Sequence, residues 1–215
     1  METRRGMRAR RALLAAALAL AAGPAPGRAA PSVEERLLEA APGLRREALR
    51  AGLAAFRGAH DAGLAARPVL TLIDYGLPST ARRLWVLDVA HARVVFHEWV
   101  AHGRNSGEDL AEHFSNEPGS LMSSLGTFWT GVAYAGRHGH SLRLHGLERG
   151  RNDRAEERAI VIHGADYVDA KFARRFGRLG RSHGCPAVRR AVARPLIDVI
   201  QGGTVVFAYH DAGSD

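Results

Sequence analysis

The chain of 215 residues contains one cysteine, Cys185, and one lysine, Lys171. A single thiol excludes a disulfide framework and the paired-cysteine patterns of structural zinc sites. Arginine supplies the rest of the positive charge, a bias that we attribute to genomic base composition and not to phosphate recognition. The longest apolar run, residues 12–22, is too short for a membrane-spanning helix, which needs about 20 residues.

Residues 1–30 have the three-part layout of a secretory signal peptide: a basic start, an apolar stretch and a tail of small residues. We expect cleavage near Ala29 or Ala30, export to the periplasm or cell envelope, and no stable membrane insertion afterwards. This segment holds six arginines and one glutamate, which account for five of the eight net positive charges. The remainder carries only +3, so we predict no nucleic-acid partner.

Hydrophobic periodicity divides the rest of the chain into a helical segment, residues 31–66, and a β-rich domain, residues 67–215. Ser32 and Glu35 form a capping box, which predicts a helix start. The runs that predict strands are residues 69–73, 84–89, 94–100, 141–147, 159–163 and 204–209, the second and third as a hairpin. The remaining predictions are a long loop over residues 103–140 and a helix over residues 187–200. The expected fold class is mainly β with flanking helices (α+β).

Cys185 lies in a Ser-His-Gly-Cys-Pro run, residues 182–186. Exported proteins ordinarily use cysteines in disulfides, so an unpaired thiol is a candidate nucleophile. A cysteine attacks as the thiolate and needs a base or a positive field, together with donors for the oxyanion. His163, at the end of a predicted strand, is the candidate base, and the amides of Gly184 and Cys185 are candidate oxyanion donors. Pro186 either stiffens the turn or begins the following helix, whose N-terminal field would favour the thiolate.

A zinc-dependent hydrolase or zinc-binding protein is an alternative from another class, because imidazoles and thiolates also bind zinc. Its candidate ligands would be His138, His140, His145, His163, His183 and Cys185. No HExxH or paired-cysteine pattern supports it. We therefore predict no metal and no cofactor.

The pair His163-Gly164, followed by the Ser-His-Gly-Cys run at residues 182–185, resembles the signature of the L,D-transpeptidase (YkuD-like) family. Residues 70–187 resemble the branch called the murein L,D-transpeptidase catalytic-domain family. The segments that carry this likeness are residues 101–107, 114–116, 123–126, 146–148 and 158–165.

The resemblance implies a β-sandwich-like catalytic domain that acts on peptidoglycan stem peptides. Cys185 would attack the bond between the third, diamino-acid residue and a terminal D-alanine, and an amine of another stem would resolve the thioester. The resemblance makes His163 the base, the Gly164 carbonyl the group that orients its ring, and His183 a residue that shapes the oxyanion site or assists protonation. Water as acceptor would give an L,D-carboxypeptidase. A groove that only docks stem peptides would give a non-catalytic wall-binding module.

Many family members have an apolar residue and then Arg or Asn where this chain has Pro186-Ala187. In those members the Arg or Asn would contact a substrate carboxylate or orient a neighbouring group. In this chain Arg143, Arg181 or Arg189 would have to make that contact instead. The residues predicted to contact substrate are Ser182, Arg143, His145, Tyr134, Ser124 and Arg181. The acceptor, the third-position diamino acid and the oligomeric state stay open.

Overall fold

Four helices and eight strands form the part of the chain that the structure, a computed structural model, describes: residues 30–211. The predicted export leader, apart from Ala30, lies outside these residues. The helices are α1 (Val33–Ala40), α2 (Arg46–Asp61), α3 (Ala170–Phe176) and α4 (Arg190–Ile200). The strands are β1 (Val69–Asp74), β2 (Leu84–Asp88), β3 (Arg93–Glu98), β4 (Gly126–Gly136), β5 (Gly139–Gly146), β6 (Val161–Ala165), β7 (Ala187–Arg189) and β8 (Val205–Tyr209). None of the described helices has the length and apolar character needed to span a bilayer.

The eight strands form one sheet in the order β3-β2-β1-β8-β4-β5-β6-β7. Two neighbouring pairs, β1 with β8 and β6 with β7, are parallel, and the others are antiparallel. Beyond β3, Ala101 forms an isolated bridge with Ala187 of β7. Arg189 donates two hydrogen bonds, of 2.9 and 2.6 Å, to the buried carboxylate of Glu98. The two edges of the sheet therefore approach each other and enclose a core.

The central strands are buried on both faces. In β1, Leu70 and Leu72 pack with α1 and α2, whereas Ile73 joins the inner core with α4. The same alternation holds in β2 and β8. A strand covered on both faces has a nearly continuous apolar sequence, which is why these segments are recognisable without alternation.

The two N-terminal helices cover the outer face of the sheet. At the start of α1, the Ser32 hydroxyl accepts from the Glu35 amide and the Glu35 carboxylate accepts from the Ser32 amide, so the predicted capping box is present. A Cβ at Gly52 would lie 2.7 Å from Cδ1 of Leu72, so glycine allows α2 to approach β1 closely. The proposed boundary at residue 66 stays a prediction.

The mainly β class with flanking helices is confirmed, and β2 and β3 form the predicted antiparallel hairpin. The long loop predicted over residues 103–140 is wrong beyond residue 125, where β4 and the start of β5 lie. Gly126, Gly131 and Gly136 interrupt the β4 sequence, and its register against β5 shifts between residues 130 and 133. These interruptions conceal the alternation by which a strand is recognised.

Two further differences concern helices. α4 begins at Arg190 and not at residue 187, because residues 187–189 pair with β6 as β7. α3 lies in a segment for which we predict no element. Asp169 caps it through the amides of Lys171 and Phe172, and Gly177 ends it in the left-handed conformation.

Candidate active site

The turn that carries the cysteine, residues 182–185, is braced by one serine. Ser182 Oγ donates to the Cys185 carbonyl at 2.6 Å and accepts from the Gly184 amide at 3.0 Å. Ser182 is buried, and its hydroxyl proton is used inside the turn. The side chain thus holds the turn, and its predicted contact with substrate stays a prediction.

Gly184 adopts a conformation that L-residues rarely take, with φ of 117°. A Cβ there would lie 2.7 Å from the Met122 carbonyl oxygen. The Gly184 carbonyl accepts from Ser123 Oγ at 3.1 Å, and its amide already donates to Ser182. Of the two predicted oxyanion amides, that of Gly184 is therefore engaged within the turn, and its role at an oxyanion stays a prediction. Among the hydrogen bonds of residues 30–211 none uses the Cys185 amide, which is the donor that the turn leaves free.

The chain after β3 anchors this turn. The Ser182 amide donates to the His102 carbonyl at 2.9 Å, and the Arg104 amide donates to the Ser182 carbonyl at 2.8 Å. The buried ring of His102 accepts from Arg83 through Nδ1 at 2.7 Å and donates to the Gly107 carbonyl through Nε2 at 3.3 Å. Burial, assisted by the Arg83 charge, lowers the pKa of His102 to about 4. The ring is therefore neutral at neutral pH.

His163 is placed by β6, opposite Ser141 of β5. Its Nδ1 donates to the Gly164 carbonyl at 3.1 Å, which leaves Nε2 of the neutral ring as the proton acceptor. This is the contact that the resemblance implies for Gly164. The ring also stacks on His138, with centroids 4.3 Å apart and planes at 23°.

Cys185 and His163 line one cleft of about 500 Å³. The other lining residues are Arg104, Arg137, His138, Tyr167, Arg181, Ser182 and His183. Sγ of Cys185 contacts the Ala159 carbonyl at 3.7 Å, and in the described part of the chain it has no hydrogen bond to the His163 ring. Such bonds often form only when substrate is bound. The structure therefore brings the candidate nucleophile and the candidate base to one cleft without a hydrogen bond between them.

The electrostatics of the cleft favour an uncharged pair. Burial raises the pKa of the Cys185 thiol, and the Val161 amide and the Arg137 and Arg158 guanidinium groups oppose this rise. Burial also lowers the pKa of His163. Both shifts favour thiol plus imidazole over thiolate plus imidazolium. The arrangement therefore favours a neutral thiol beside a neutral imidazole.

Pro186 does not begin a helix. The strand β7 separates it from α4, which starts at Arg190. The field of a helix terminus falls off within the first turn. The prediction that it stabilises the thiolate is therefore wrong, and the alternative role of Pro186 in stiffening the turn stays a prediction.

Three predicted substrate residues lie outside this cleft, on the face of β4 and β5 turned away from the inner core. The Arg143 guanidinium lies 4.9 Å from the ring centroid of Tyr134. His145 Nδ1 pairs with Glu156 Oε2 at 3.1 Å. Arg143 and His145 face outward because their neighbours in β5 fill the inner core. His163 lies on the same face, because it pairs with Ser141, which pairs with Tyr134. The predicted contact of these three residues with substrate stays a prediction.

Arg158 organises the serine-rich loop beside the cysteine, although the sequence does not single it out. Its guanidinium donates to the Ser115 carbonyl at 2.6 Å, to the Met122 carbonyl at 2.5 Å, to Ser120 Oγ at 3.2 Å and to Ser124 Oγ. Ser124 Oγ in turn donates to the Ser115 carbonyl at 2.9 Å. Ser124 thus braces the loop, and its predicted contact with substrate stays a prediction. No local sequence pattern predicts these partners, because they lie far from Arg158 along the chain.

Two of the six candidate zinc ligands lie apart from the cleft. His140 pairs with Asp198 at 2.9 Å, and His145 pairs with Glu156. His138, His163, His183 and Cys185 share the cleft. Within the described residues no group of three or more His, Cys, Asp or Glu side chains is placed to hold a metal ion.

A protein-family model described as L,D-transpeptidase catalytic domain matches residues 40–209. Solved structures to which the chain is similar include an L,D-transpeptidase from Mycobacterium smegmatis, 15% identical, with a TM-score of 0.41 over 66% of this chain and 58% of that one. The helical cell shape determining protein Pgp2 from Campylobacter jejuni is 13% identical, with a TM-score of 0.46 over 71% of this chain and 54% of that one. An L,D-transpeptidase from Xylanimonas cellulosilytica is 18% identical, with a TM-score of 0.39 over 86% and 99%. The chain thus spans little more than half the length of the first two, and a search among curated proteins found no match.

Proposed function

Because the chain belongs to the L,D-transpeptidase catalytic domain family, we propose that it is a cysteine acyltransferase that cross-links peptidoglycan stem peptides. The proposal rests on one cleft lined by both Cys185 and His163, in which the Gly164 carbonyl fixes the base through Nδ1. Nε2 is then the nitrogen that can take the thiol proton.

Acylation begins when His163 Nε2 accepts the thiol proton and Cys185 Sγ attacks the carbonyl carbon of the third stem residue. The electron pair of that carbonyl moves to its oxygen, and the tetrahedral intermediate then expels the terminal D-alanine. The imidazolium returns its proton to the departing amine. A C–S bond has formed and a C–N bond has broken, so the product is a thioester on Cys185.

The oxyanion of this intermediate needs donors aimed at it. The Cys185 amide is free to donate, and the exposed ring of His183 lines the same cleft. Arg137 and Arg158 lower the pKa of the thiol and thereby favour negative charge at this place. These groups support a site that becomes anionic only during reaction.

Resolution uses the same base. A side-chain amine of a second stem attacks the thioester and gives its proton to His163, which passes it to the departing sulfur. The result is an amide cross-link between two third-position residues and a free thiol on Cys185. Water in place of the amine gives a shortened stem, so the carboxypeptidase reaction shares every step up to the thioester.

We also propose that the protein works in the cell envelope. Its proposed substrate lies there, and the sequence of residues 1–30 predicts export. Fractionation of cells that produce the full chain tests this, because a mature form confined to the cytoplasm would contradict export.

The decisive test is mass spectrometry of the purified protein mixed with stem tetrapeptides. We expect an adduct on Cys185 equal to the donor minus D-alanine, followed by cross-linked dimers. Cys185→Ala should abolish both, and His163→Gln should slow adduct formation. The control His60→Gln changes an exposed histidine on α2 and should change neither.

The alternatives give different results. If shortened stems form without cross-linked dimers, the protein is a carboxypeptidase and not a transpeptidase. Peptide binding without any adduct would indicate a wall-binding module. Activity that is lost in chelator but survives thiol alkylation would indicate a metal enzyme. Muropeptide rearrangement by Cys185→Ala would overturn the nucleophile assignment.

A further inference from the structure

An arginine-lined pocket of about 610 Å³ adjoins the cysteine cleft. The two share Arg104, Tyr167 and Arg181, so they form one continuous groove. Arg178 adds a third guanidinium, and Glu108 is the carboxylate that faces them. We call this pocket the arginine annex.

The annex has more positive than negative charge. The Glu108 carboxylate is shared by Arg178 and Arg181, each at 2.7 Å. The exposed side chain of Arg104 makes no ion pair or hydrogen bond within residues 30–211. One carboxylate therefore balances part of a set of three cations, and Arg104 is the cation left available.

The annex is built into the backbone that carries the nucleophile. The Arg104 amide donates to the Ser182 carbonyl at 2.8 Å. Arg181, the residue before Ser182, donates to the carbonyls of Arg104 at 3.2 Å and Gly107 at 2.9 Å. A ligand group held in the annex is therefore fixed relative to the cysteine turn.

The other arginines predicted to contact a substrate carboxylate are engaged elsewhere. Arg189 is held by two hydrogen bonds to Glu98. Arg143 lies over the Tyr134 ring on the outward-facing surface. The annex contributes Arg104 and Arg181 to the lining of the cleft, where Arg137, which lies outside the annex, is the third guanidinium.

We propose that the arginine annex binds a free carboxylate of the stem peptide, with Arg104 as its direct contact. This inference rests on the proposed function. Guanidinium groups bind carboxylates through paired, charge-assisted hydrogen bonds, and the Glu108 carboxylate already sits between two of them. The ligand carboxylate is either that of the terminal D-alanine or that on the side chain of the third residue. Both have the same chemistry, and the test separates them.

The test measures binding and acylation with three tetrapeptides built on a diamino acid that has a side-chain carboxylate: the parent, its C-terminal amide, and the amide of that side-chain carboxylate. Binding is measured with Cys185→Ala, so it does not depend on turnover. We expect the parent to bind about tenfold or more tightly than one of the two amides, the scale of a lost charged hydrogen bond. The amide that loses affinity identifies the recognised carboxylate.

Variants assign the effect to the annex. Arg104→Gln should remove the preference for the acid, mainly through KM, and Arg104→Lys should restore part of it. Glu108→Gln removes the competing internal carboxylate and should lower KM for the parent. Arg57→Gln, an exposed arginine on α2, is the matched control and should leave the preference intact.

Equal binding of all three peptides would overturn the annex proposal, even where adducts on Cys185 form and the proposed function stands. An unchanged acid preference in Arg104→Gln would overturn it as well. A clear acid preference in binding that disappears in Arg104→Gln would support the annex even where no adduct forms, and in that case the transpeptidase proposal alone would fail.

Discussion

The substitution Gly184→Ala separates the geometry of the turn from the presence of the thiol. The backbone at Gly184 has φ of 117°, and a residue held in such a region costs about 1–3 kcal/mol. The new Cβ would lie 2.7 Å from the Met122 carbonyl oxygen and 3.2 Å from Ile160 Cδ1. A backbone oxygen cannot move aside as a flexible side chain can, so overpacking adds about 1–3 kcal/mol.

We therefore expect Gly184→Ala to lose about 2–6 kcal/mol of unfolding free energy. In a chain of this size the loss lowers Tm by about 5–20 °C. The matched control is Gly177→Ala, at the end of α3, where φ is also positive at 68° but a Cβ would have no neighbour within 4 Å. Only the conformational cost, about 1–2 kcal/mol, applies there.

Function should separate the two variants more sharply than stability. Displacing the turn by about 1 Å moves Sγ of Cys185 out of line with His163, and a misplacement of that size can cost about 100-fold in rate. Urea denaturation gives the stabilities, and mass spectrometry gives the acylation rate of Cys185 at a temperature where each variant is folded. If the Gly184→Ala and Gly177→Ala variants have the same acylation rate and the same free energy of unfolding, this reasoning is refuted.

Arg137→Gln removes a cation that lowers the pKa of Cys185, so the pH midpoint of iodoacetamide alkylation should rise; an unchanged midpoint would contradict the assigned role. Burial lowers the pKa of His102 in the folded chain to about 4, below its ordinary value of 6.5. The unfolded chain therefore binds the proton at a higher pH than the folded chain does. The free energy of unfolding falls by about 3 kcal/mol as the pH drops from 6.5 to 4. His102→Gln should therefore lose less stability than wild type between neutral pH and pH 4 in urea titrations, and an equal loss would exclude His102 as the cause. Glu98→Gln replaces the carboxylate that holds Arg189 and should cost about 1–3 kcal/mol in the same assay, whereas a neutral result would mean that this edge contact adds no stability.

The parts of the fold that follow from local pattern are predictable from sequence. The capping box at Ser32 predicts the start of α1, and the apolar runs predict β1, β2 and β8, because two-sided burial requires such runs. The cysteine turn is likewise visible as Ser-His-Gly-Cys, since a glycine and two polar residues beside one thiol form a local signature.

What the sequence does not predict depends on partners far along the chain. Ser182 and Ser124 suit a substrate groove as residue types, but both are used to brace backbone. Arg158 gains its role from loop carbonyls more than thirty residues earlier. The sequence of β4 does not read as a strand because glycines interrupt it. These glycines lie near a register shift and leave room for close neighbours, such as the His145 ring against Gly131. None of these contacts leaves a periodic signal.

The raised pKa of Cys185 has a consequence for a protein that is predicted to be exported. The thiolate is the form that oxidants and foreign disulfides attack, so the raised pKa of this half-buried thiol lowers its reactivity in an oxidising compartment. In the proposed mechanism the thiol then depends on His163, whose lowered pKa favours a neutral ring that can accept the proton at Nε2. Because neither group is charged at rest, reactivity has to arise when a bound peptide aligns the two and offers a carbonyl to the sulfur. Alkylation of the free protein should therefore be slow at neutral pH, while acylation by a bound stem peptide is fast.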